Sequence, residues 1–414
     1  MSKRFLVKLF LILLAIFLMV EIGTTYAGET KLAQKATPAP TSKFPPVMKV
    51  GGILELTGNW AWAGKWKSQA VHMGIDELNS SSEFPWKFEL VVVDHASGDA
   101  KKASAGMRQL VDIYHVPYCI TGFETVTLAA REIGEPAHVV IVNPGGVAPV
   151  LLNKPYLHNT RPMGPQMAIP MMEFLVEKFG AKKIAITHWA EEFGAGVRDA
   201  TYYIAPKWGV EVVAEVSHEP LITDYLSVMA KVKAAKPDVL GIWSIGNDVG
   251  YIVKTAKEMG MNLPIGTMMG INPIMIEIAG ENNLKGLYDC SQYFNPKSEL
   301  PFVQKFVTNY KARYNEVPEQ LAANYYEAVI ILRNCIRHVL AKGGNPFDGA
   351  QLEKAIQEIK VFPSLYGKGQ MEIKPDGSIV KPVAITQYQG GTAKDVVLIK
   401  EVTPPPNQAY PKRR

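Results

Sequence analysis

The feature that most constrains this chain is a repeated alternation of apolar strand patterns with amphipathic helix patterns. From Met48 onward, runs such as MKVGGILEL and WKFELVVVD alternate with helical stretches at about residues 64–79 and 100–114. Strands that are apolar throughout suit a parallel sheet covered on both faces by helices. The same rhythm restarts after Pro162. The pattern therefore predicts an α/β protein with two similar Rossmann-like lobes in tandem.

The remaining elements follow the same pattern in both sets. The first set continues with PYCITG, a helix at 125–135 and HVVIVNP. The second set has strands KKIAITH, VEVVAEV, DVLGIWS, NLPIGTM and GLYDCSQYF, and helices at 166–179, 192–208, 225–235 and 249–259. Long helices are predicted at 300–314 and 320–341, and a hairpin turns at Pro375, Asp376 and Gly377. Ligands of open parallel sheets bind beyond the carboxyl ends of the strands, so candidate functional residues belong in the following loops.

The N-terminus has the pattern of an export signal. Lys3 and Arg4 precede an apolar run at residues 5–20, and a small-x-small site ends the predicted signal peptide of residues 1–27. A retained membrane anchor is the alternative, but the run contains Lys8 and is shorter than the roughly 20 apolar residues that span a bilayer.

Two short segments flank the predicted lobes. Residues 28–47 are rich in proline without an apolar period, which predicts a disordered leader, and residues 402–414 are predicted to be a flexible tail. The formal charge of +5 comes from 44 basic and 39 acidic residues, and part of the excess lies in the signal and at Lys412, Arg413 and Arg414. The mature body is nearly neutral, which argues against a nucleic-acid partner.

No catalytic, cofactor or metal motif is recognisable. Phosphate-loop, dinucleotide, zincin and esterase patterns are missing, and the eight histidines are scattered without metal-ligand spacing. The three cysteines, Cys119, Cys290 and Cys335, exclude a disulfide-dense scaffold and leave their pairing open. The sequence predicts a protein that binds without catalysing, with no cofactor and no metal. An exported hydrolase is the weaker alternative.

Aromatic residues cluster where the first strand ends. The stretch ELTGNWAWAGKWK carries Trp60, Trp62 and Trp66, and indole rings offer apolar area together with a polar N–H group. We assign Trp62 to the wall of a ligand cleft and Trp66 to the lobe core, and leave Trp60 open.

Two later loops offer polar groups to a ligand. Thr125 and Thr127 lie between a strand and a helix, where hydroxyls and free N–H groups can receive a carboxylate, although either threonine can equally cap the helix. Gly145 and Gly146, in NPGGVAP, expose backbone amides or only permit a turn. In EEFGAG, Phe193 can stack on a ligand or belong to the core.

These segments together carry a resemblance to a known family. GGILELTGNWAWAG, TGFETVTLAA, NPGGVAP, EEFGAG, ITDYLSVMAKVKAAKPDVL and YGKGQMEIKPDGS resemble periplasmic substrate-binding proteins of branched-chain amino acid type ABC importers, similar to the Leu/Ile/Val-binding protein. The resemblance implies a type I periplasmic binding fold, with two lobes joined by three crossovers that close on a ligand by hinge motion. It places lobe 1 at 48–163 and 291–361, and lobe 2 at 164–290 and 362–401.

The resemblance also implies site residues. Ligand hydroxyls fall on Thr125 or Thr127, backbone donors on Gly145 and Gly146, and the stacking aromatic on Phe193. Two departures are visible. Val147 stands where amino-acid binders commonly have threonine, and Met268 or Met269 stands where they have the acid that pairs with the ligand ammonium.

The missing acid bears on the expected ligand. Burying an ammonium without a carboxylate costs several kcal/mol. Asp224, Glu124 or Asp248 could substitute, but each has an alternative surface or capping role. We therefore expect an amino acid-like, amide or apolar/aromatic carboxylate ligand in a cleft that includes Met269.

The expected setting is the periplasm, with an ABC permease in the membrane as partner and the binding protein as a monomer. An extracytoplasmic ligand sensor for a signalling receptor is the alternative, because both kinds of protein bind a ligand and close.

Overall fold

The structure is a computed structural model that describes residues 43–404. The predicted signal peptide, residues 28–42 of the predicted leader and residues 405–414 of the predicted tail lie outside the described residues. The last part of the predicted leader packs onto the protein, since the Phe44 ring lies 5.2 Å from Trp86 and 5.9 Å from Phe347.

Helices and strands alternate through most of the described chain. The helices are α1 Ala61–Ser80, α2 Ala100–Asp112, α3 Glu124–Gly134, α4 Gly164–Phe179, α5 Glu192–Trp208, α6 Leu226–Ala235, α7 Asn247–Glu258, α8 Pro273–Ala279, α9 Glu281–Leu284, α10 Pro301–Tyr314, α11 Gln320–Ala341 and α12 Gly349–Ile359. The strands are β1 Val47–Leu54, β2 Lys87–Asp94, β3 Tyr118–Ile120, β4 Val140–Asn143, β5 Leu157–Asn159, β6 Lys183–Trp189, β7 Glu211–His218, β8 Val239–Trp243, β9 Ile265–Met268, β10 Tyr288–Ser291, β11 Val361–Pro363, β12 Gln370–Ile373, β13 Ile379–Val380, β14 Val383–Tyr388 and β15 Val396–Val402.

The first sheet is parallel and has the strand order β2-β1-β3-β4-β5. Side chains of β1 pack on both faces of this sheet. Val50 packs with α1 and α11 on one face, and Ile53 packs with α2 and α3 on the other. Helices therefore cover both faces of this sheet, as the apolar strands predict.

The second sheet has the order β15-β14-β10-β9-β8-β6-β7. Its strands β6 to β10 are parallel, and β14 and β15 extend it with antiparallel pairs. One face packs on α4 and α5 and the other on α6 and α7. The predicted α/β fold class with two parallel-sheet lobes is confirmed.

A small third sheet, β11-β12-β13, contains the hairpin that Pro375, Asp376 and Gly377 predict. Its buried residues Phe362, Met371 and Ile379 belong to the core between the first sheet and α11. The resemblance placed residues 362–401 in lobe 2. Of these residues, only those of β14 and β15 join the second sheet.

The chain passes between the two large sheets three times. The first connection leaves β5 and enters α4, the second leaves β10 and enters α10, and the third joins β13 to β14. Within residues 43–404, no helix has the length and apolar character needed to cross a membrane.

Candidate functional site

The two large sheets meet near the carboxyl ends of their strands. A Cβ built on Gly246, after β8, would lie 3.1 Å from the Trp60 ring, which precedes α1. The Arg161 guanidinium donates to the Gly145 carbonyl, after β4, at 2.9 Å and contacts the Met269 sulfur, after β9, at 3.4 Å. We call these five residues the junction.

The predicted tryptophan cluster lies beside the junction. The Trp62 ring centroid is 5.8 Å from that of Trp60 and 5.4 Å from that of Trp66, and Trp60 is 6.1 Å from Phe123. Trp62 is half-buried, and its buried Nε1 has no hydrogen-bond partner within the described residues. Trp66 packs against the core of the first sheet. The structure thus gives the junction role to Trp60, which the sequence left open.

The two threonines point to different surroundings. The Thr127 hydroxyl is buried and lies 2.9 Å from the Thr121 hydroxyl. Thr125 is exposed, and its hydroxyl is 3.5 Å from the Gly98 carbonyl. The structure does not bring either hydroxyl into contact with the junction residues.

The backbone amides of Gly145 and Gly146 already donate hydrogen bonds within their own loop. Asn143 Oδ1 accepts from Gly145 N at 3.1 Å and from Gly146 N at 2.8 Å. Side chains of this type compete for backbone donors near turns. Gly146 is buried and Gly145 half-buried, and the amides of both serve the turn.

A side-chain carboxylate accepts hydrogen bonds from the two backbone amides that follow Gly146. Glu124 Oε1, from the first turn of α3, accepts from Val147 N at 2.6 Å and from Ala148 N at 3.1 Å. The loop after β4 therefore binds a carboxylate through backbone donors, but the carboxylate belongs to the protein.

The two candidates from the second set differ in environment. Phe193 is 3% exposed, packs edge-on against Trp189 at 6.0 Å and contacts Gly164. Its ring lies in the core between the second sheet and α4. Met269 is half-buried with φ 79°, and its carbonyl accepts from Gln320 Nε2 at 2.9 Å.

Arg161 is a residue that sequence reasoning missed. It is 3% exposed and lies on the first connection, where its Nε donates to Gln292 Oε1 at 3.1 Å. Its other partners are the Gly145 carbonyl and the Met269 sulfur, and none of its partners in residues 43–404 is a carboxylate. Burial lowers the pKa of Arg161, although Glu124 and nearby tyrosines oppose that shift. Its place between Thr160 and Pro162, directly after a strand, was the available signal.

Tyr325 adds an unpartnered hydroxyl next to this arginine. The residue is fully buried on α11, and its hydroxyl has no hydrogen-bond partner among residues 43–404. A Cβ on Gly122 would lie 2.0 Å from that oxygen, and one on Gly145 would lie 2.8 Å from it. Glycine is therefore required at both positions for the tyrosine to approach the two loops.

A buried ion pair lies behind the aromatic residues. Lys67 pairs with Glu55, and Lys67 Nζ lies 5.3 Å from the Phe123 ring and 5.1 Å from the Tyr325 ring. Burial acts to raise the pKa of Glu55, but the charge of Lys67 and hydrogen bonds from His95 and Lys67 outweigh it, and the pKa is lowered. The pair is neutral as a unit and fixes α1 against β1.

The carboxylates considered for a ligand ammonium have other partners. Asp248 accepts from Leu221 N at 3.0 Å and from the Trp189 indole, and exposed Asp224 accepts from Leu226 N at 2.9 Å. Together with Glu124, each of the three is engaged by the protein's own donors.

The described residues contain no group of three or more His, Cys, Asp or Glu side chains able to hold a metal. Cys119, Cys290 and Cys335 are all buried and unpaired. A surface depression of about 470 Å³ lined by Tyr156, His158 and Glu353 lies away from the junction.

Comparisons with known proteins match most of the chain. The sequence profile of the family described as periplasmic binding protein matches residues 47–393. The Leu/Ile/Val-binding protein homolog 8 of Brucella abortus is 22% identical over 334 residues, which cover 76% of this chain and 81% of that protein.

Solved structures share the fold. The branched-chain amino acid transporter substrate-binding protein LivJ from Streptococcus pneumoniae, in complex with isoleucine, has a TM-score of 0.74 at 22% identity and covers 85% of this chain and 99% of its own. An R. palustris ABC transporter solute-binding protein in complex with benzoate has a TM-score of 0.73 at 18% identity, covering 88% of this chain and 98% of its own.

Proposed function

The chain belongs to the periplasmic binding protein family, and from this premise we propose that it is the extracytoplasmic solute-binding component of an ABC importer. It captures a small amino acid-like, amide or apolar/aromatic carboxylate ligand between its two lobes. Membership in a family of binding proteins confirms the prediction that the chain is not an enzyme.

The proposed working unit is a monomer that closes by hinge motion and delivers its ligand to a permease. The resemblance places lobe 1 at 48–163 and 291–361 and lobe 2 at 164–290 and 362–401. Because β12 and β13 pack on the core of the first sheet, we assign residues 370–380 to lobe 1. The signal-like N-terminus and the family together support a periplasmic location.

The observation that carries this proposal is the chemistry of the junction and of Phe123, which lies beside it. Trp60 and Phe123 supply aromatic surface, and Arg161 supplies a buried cation that reaches loops of both large sheets. Small-molecule sites are commonly apolar, with a few placed polar groups between domains. The ligands of the two solved relatives, isoleucine and benzoate, both combine a carboxylate with an apolar body.

The proposal is tested by thermal unfolding of the purified protein against amino acids, amides and aliphatic and aromatic carboxylates. A ligand that binds only the folded state raises the melting temperature, by an amount that grows with ligand concentration. We expect saturable stabilisation by at least one carboxylate. A flat response across the whole set would contradict the proposal.

A further inference from the structure

The Arg161 guanidinium has an incomplete set of partners for a buried charge. Nε and Nη1 donate to amide oxygens of Gln292 and Gly145, but Nη2 meets only the thioether of Met269 at 3.4 Å. A thioether sulfur is a weak acceptor, whereas a carboxylate accepts two parallel N–H bonds from an arginine. The Met269 side chain is also flexible enough to move aside.

Two further buried donors around Arg161 lack partners within residues 43–404. These are the Tyr325 hydroxyl and Gln292 Nε2, whose residues are 0% and 1% exposed. Gln292 accepts from Arg161 through its other amide atom, and the Tyr325 hydroxyl lies against Gly145, whose carbonyl also binds Arg161. Buried polar groups normally find partners, so unpaired donors beside an under-used cation indicate a position for an acceptor.

We infer that a ligand carboxylate binds Arg161 in place of the Met269 thioether, with the Tyr325 hydroxyl and Gln292 Nε2 as additional donors. The inference rests on the proposed function and names its substrate class: small monocarboxylates with an apolar body and no required α-amino group. The apolar body of the ligand lies toward the aromatic cluster of Trp60, Trp62 and Phe123. This cluster is close to Tyr325, because Lys67 Nζ contacts both the Phe123 ring and the Tyr325 ring.

The lack of a required amino group follows from the acids near this position. Glu124 Oε1 is bonded to two amides, and Glu319 caps α11 through Leu321 N and Ala322 N. Oε1 of each carboxylate is already held by two backbone donors, so neither is a free acid dedicated to an ammonium beside Arg161. Glu191 is exposed at the start of α5, where it does not contact Arg161.

The test uses the full exported chain and three acids with their matched amides: benzoate, phenylacetate and 4-methylpentanoate against benzamide, phenylacetamide and 4-methylpentanamide. Leucine is included as the α-amino analogue of 4-methylpentanoate. Affinities are measured by titration calorimetry for the wild type, Arg161→Gln, Arg161→Lys and Tyr325→Phe.

We expect at least one acid to bind and its amide to bind at least tenfold more weakly. Hydrogen bonds to charged groups are worth enough that Arg161→Gln should weaken the acid roughly tenfold to hundredfold, with partial recovery in Arg161→Lys. Tyr325→Phe should weaken the acid several-fold without lowering the melting temperature of the free protein, because its hydroxyl has no partner to lose.

Two matched variants separate binding from folding. Tyr310→Phe removes a hydroxyl bonded to Gln69 Oε1 at 2.8 Å, and Arg333→Gln breaks an ion pair with Glu83. Neither side chain bonds to Arg161, Gln292 or Tyr325, so both variants should change stability without changing acid affinity.

Each of the following outcomes overturns the inference. If acid and amide bind equally, or if Arg161→Gln binds the acid as tightly as the wild type, Arg161 does not bind the ligand carboxylate. If leucine binds more tightly than 4-methylpentanoate, the site recognises an α-amino group and the proposed substrate class is wrong. If leucine or an amide binds but no acid does, the proposed function stands and this inference fails, and if no compound binds, both fail.

Discussion

At the scale of single residues, the chemistry of the junction depends on which polar groups already have partners. The sequence located Gly145, Gly146 and Met269 in loops that do reach this region. It could not show that Asn143 would occupy the two glycine amides or that Glu124 would occupy the next two, because those bonds depend on loop conformation. Arg161 was missed for the same reason, since an arginine after a strand is ordinarily a surface residue.

Asp289, buried on β10, gives a prediction for the pH dependence of stability. Burial raises its pKa to about 6, although Ser291 and Gly270 N donate to it. The folded state holds this proton more tightly than the unfolded state, so the free energy of unfolding falls as pH rises from about 4 to 6. A shift of about two pKa units corresponds to about 3 kcal/mol.

Asp289→Asn removes this titration. We measure the free energy of unfolding in urea for both proteins. The value for the variant minus that for the wild type should increase by about 3 kcal/mol between pH 4 and pH 7. Exposed Asp238 is the control, because backbone donors lower its pKa and its titration lies below this window. A stability difference for Asp289→Asn that does not change with pH would refute the prediction.

At the scale of elements, sequence periodicity was most informative for long helices. Residues 192–208 and 320–341 were predicted with the bounds that the structure has. The three-residue strand β5 and helix α12 were not predicted, and the sequence did not place β11 to β13 on the core of the first sheet. Short elements carry too few residues for a period, and tertiary contacts decide where they pack.

The contact between α5 and α4 gives a prediction about Phe193. Because the ring is buried among core residues, Phe193→Ala should lower the free energy of unfolding by about 3–5 kcal/mol. Phe193→Leu should cost about 1 kcal/mol and leave ligand affinity nearly unchanged. A tenfold loss of affinity in the folded Phe193→Leu variant would instead assign the ring to ligand contact, as the family resemblance implies.

At the scale of the whole molecule, the first and third connections are tied together by a buried network. Lys381, on the third connection, pairs with Glu327 of α11 and donates to the Thr160 carbonyl on the first connection at 3.2 Å. Burial lowers the pKa of Lys381 to about 8, against the attraction of Glu327. Glu327 also accepts from Ser364 Oγ and Leu365 N, both at 2.7 Å.

Breaking this pair should destabilise the protein strongly. Lys381→Met leaves Glu327 charged and buried, which typically costs about 3–5 kcal/mol. The double variant Lys381→Met/Glu327→Gln should recover a large part of that loss in urea unfolding. Lys342→Met, which breaks an exposed pair with Glu358, is the control and should cost at most about 1 kcal/mol. Equal losses in the single and double variants would show that charge burial is not the cause.

The most direct test of a binding protein that closes between two lobes is small-angle X-ray scattering with and without ligand. The ligand is the compound that gives the largest thermal stabilisation, added at saturating concentration. We expect the radius of gyration of the wild type to decrease when that ligand is added, because hinge closure brings the lobes together. An unchanged radius of gyration at full occupancy would contradict binding by closure of the two lobes.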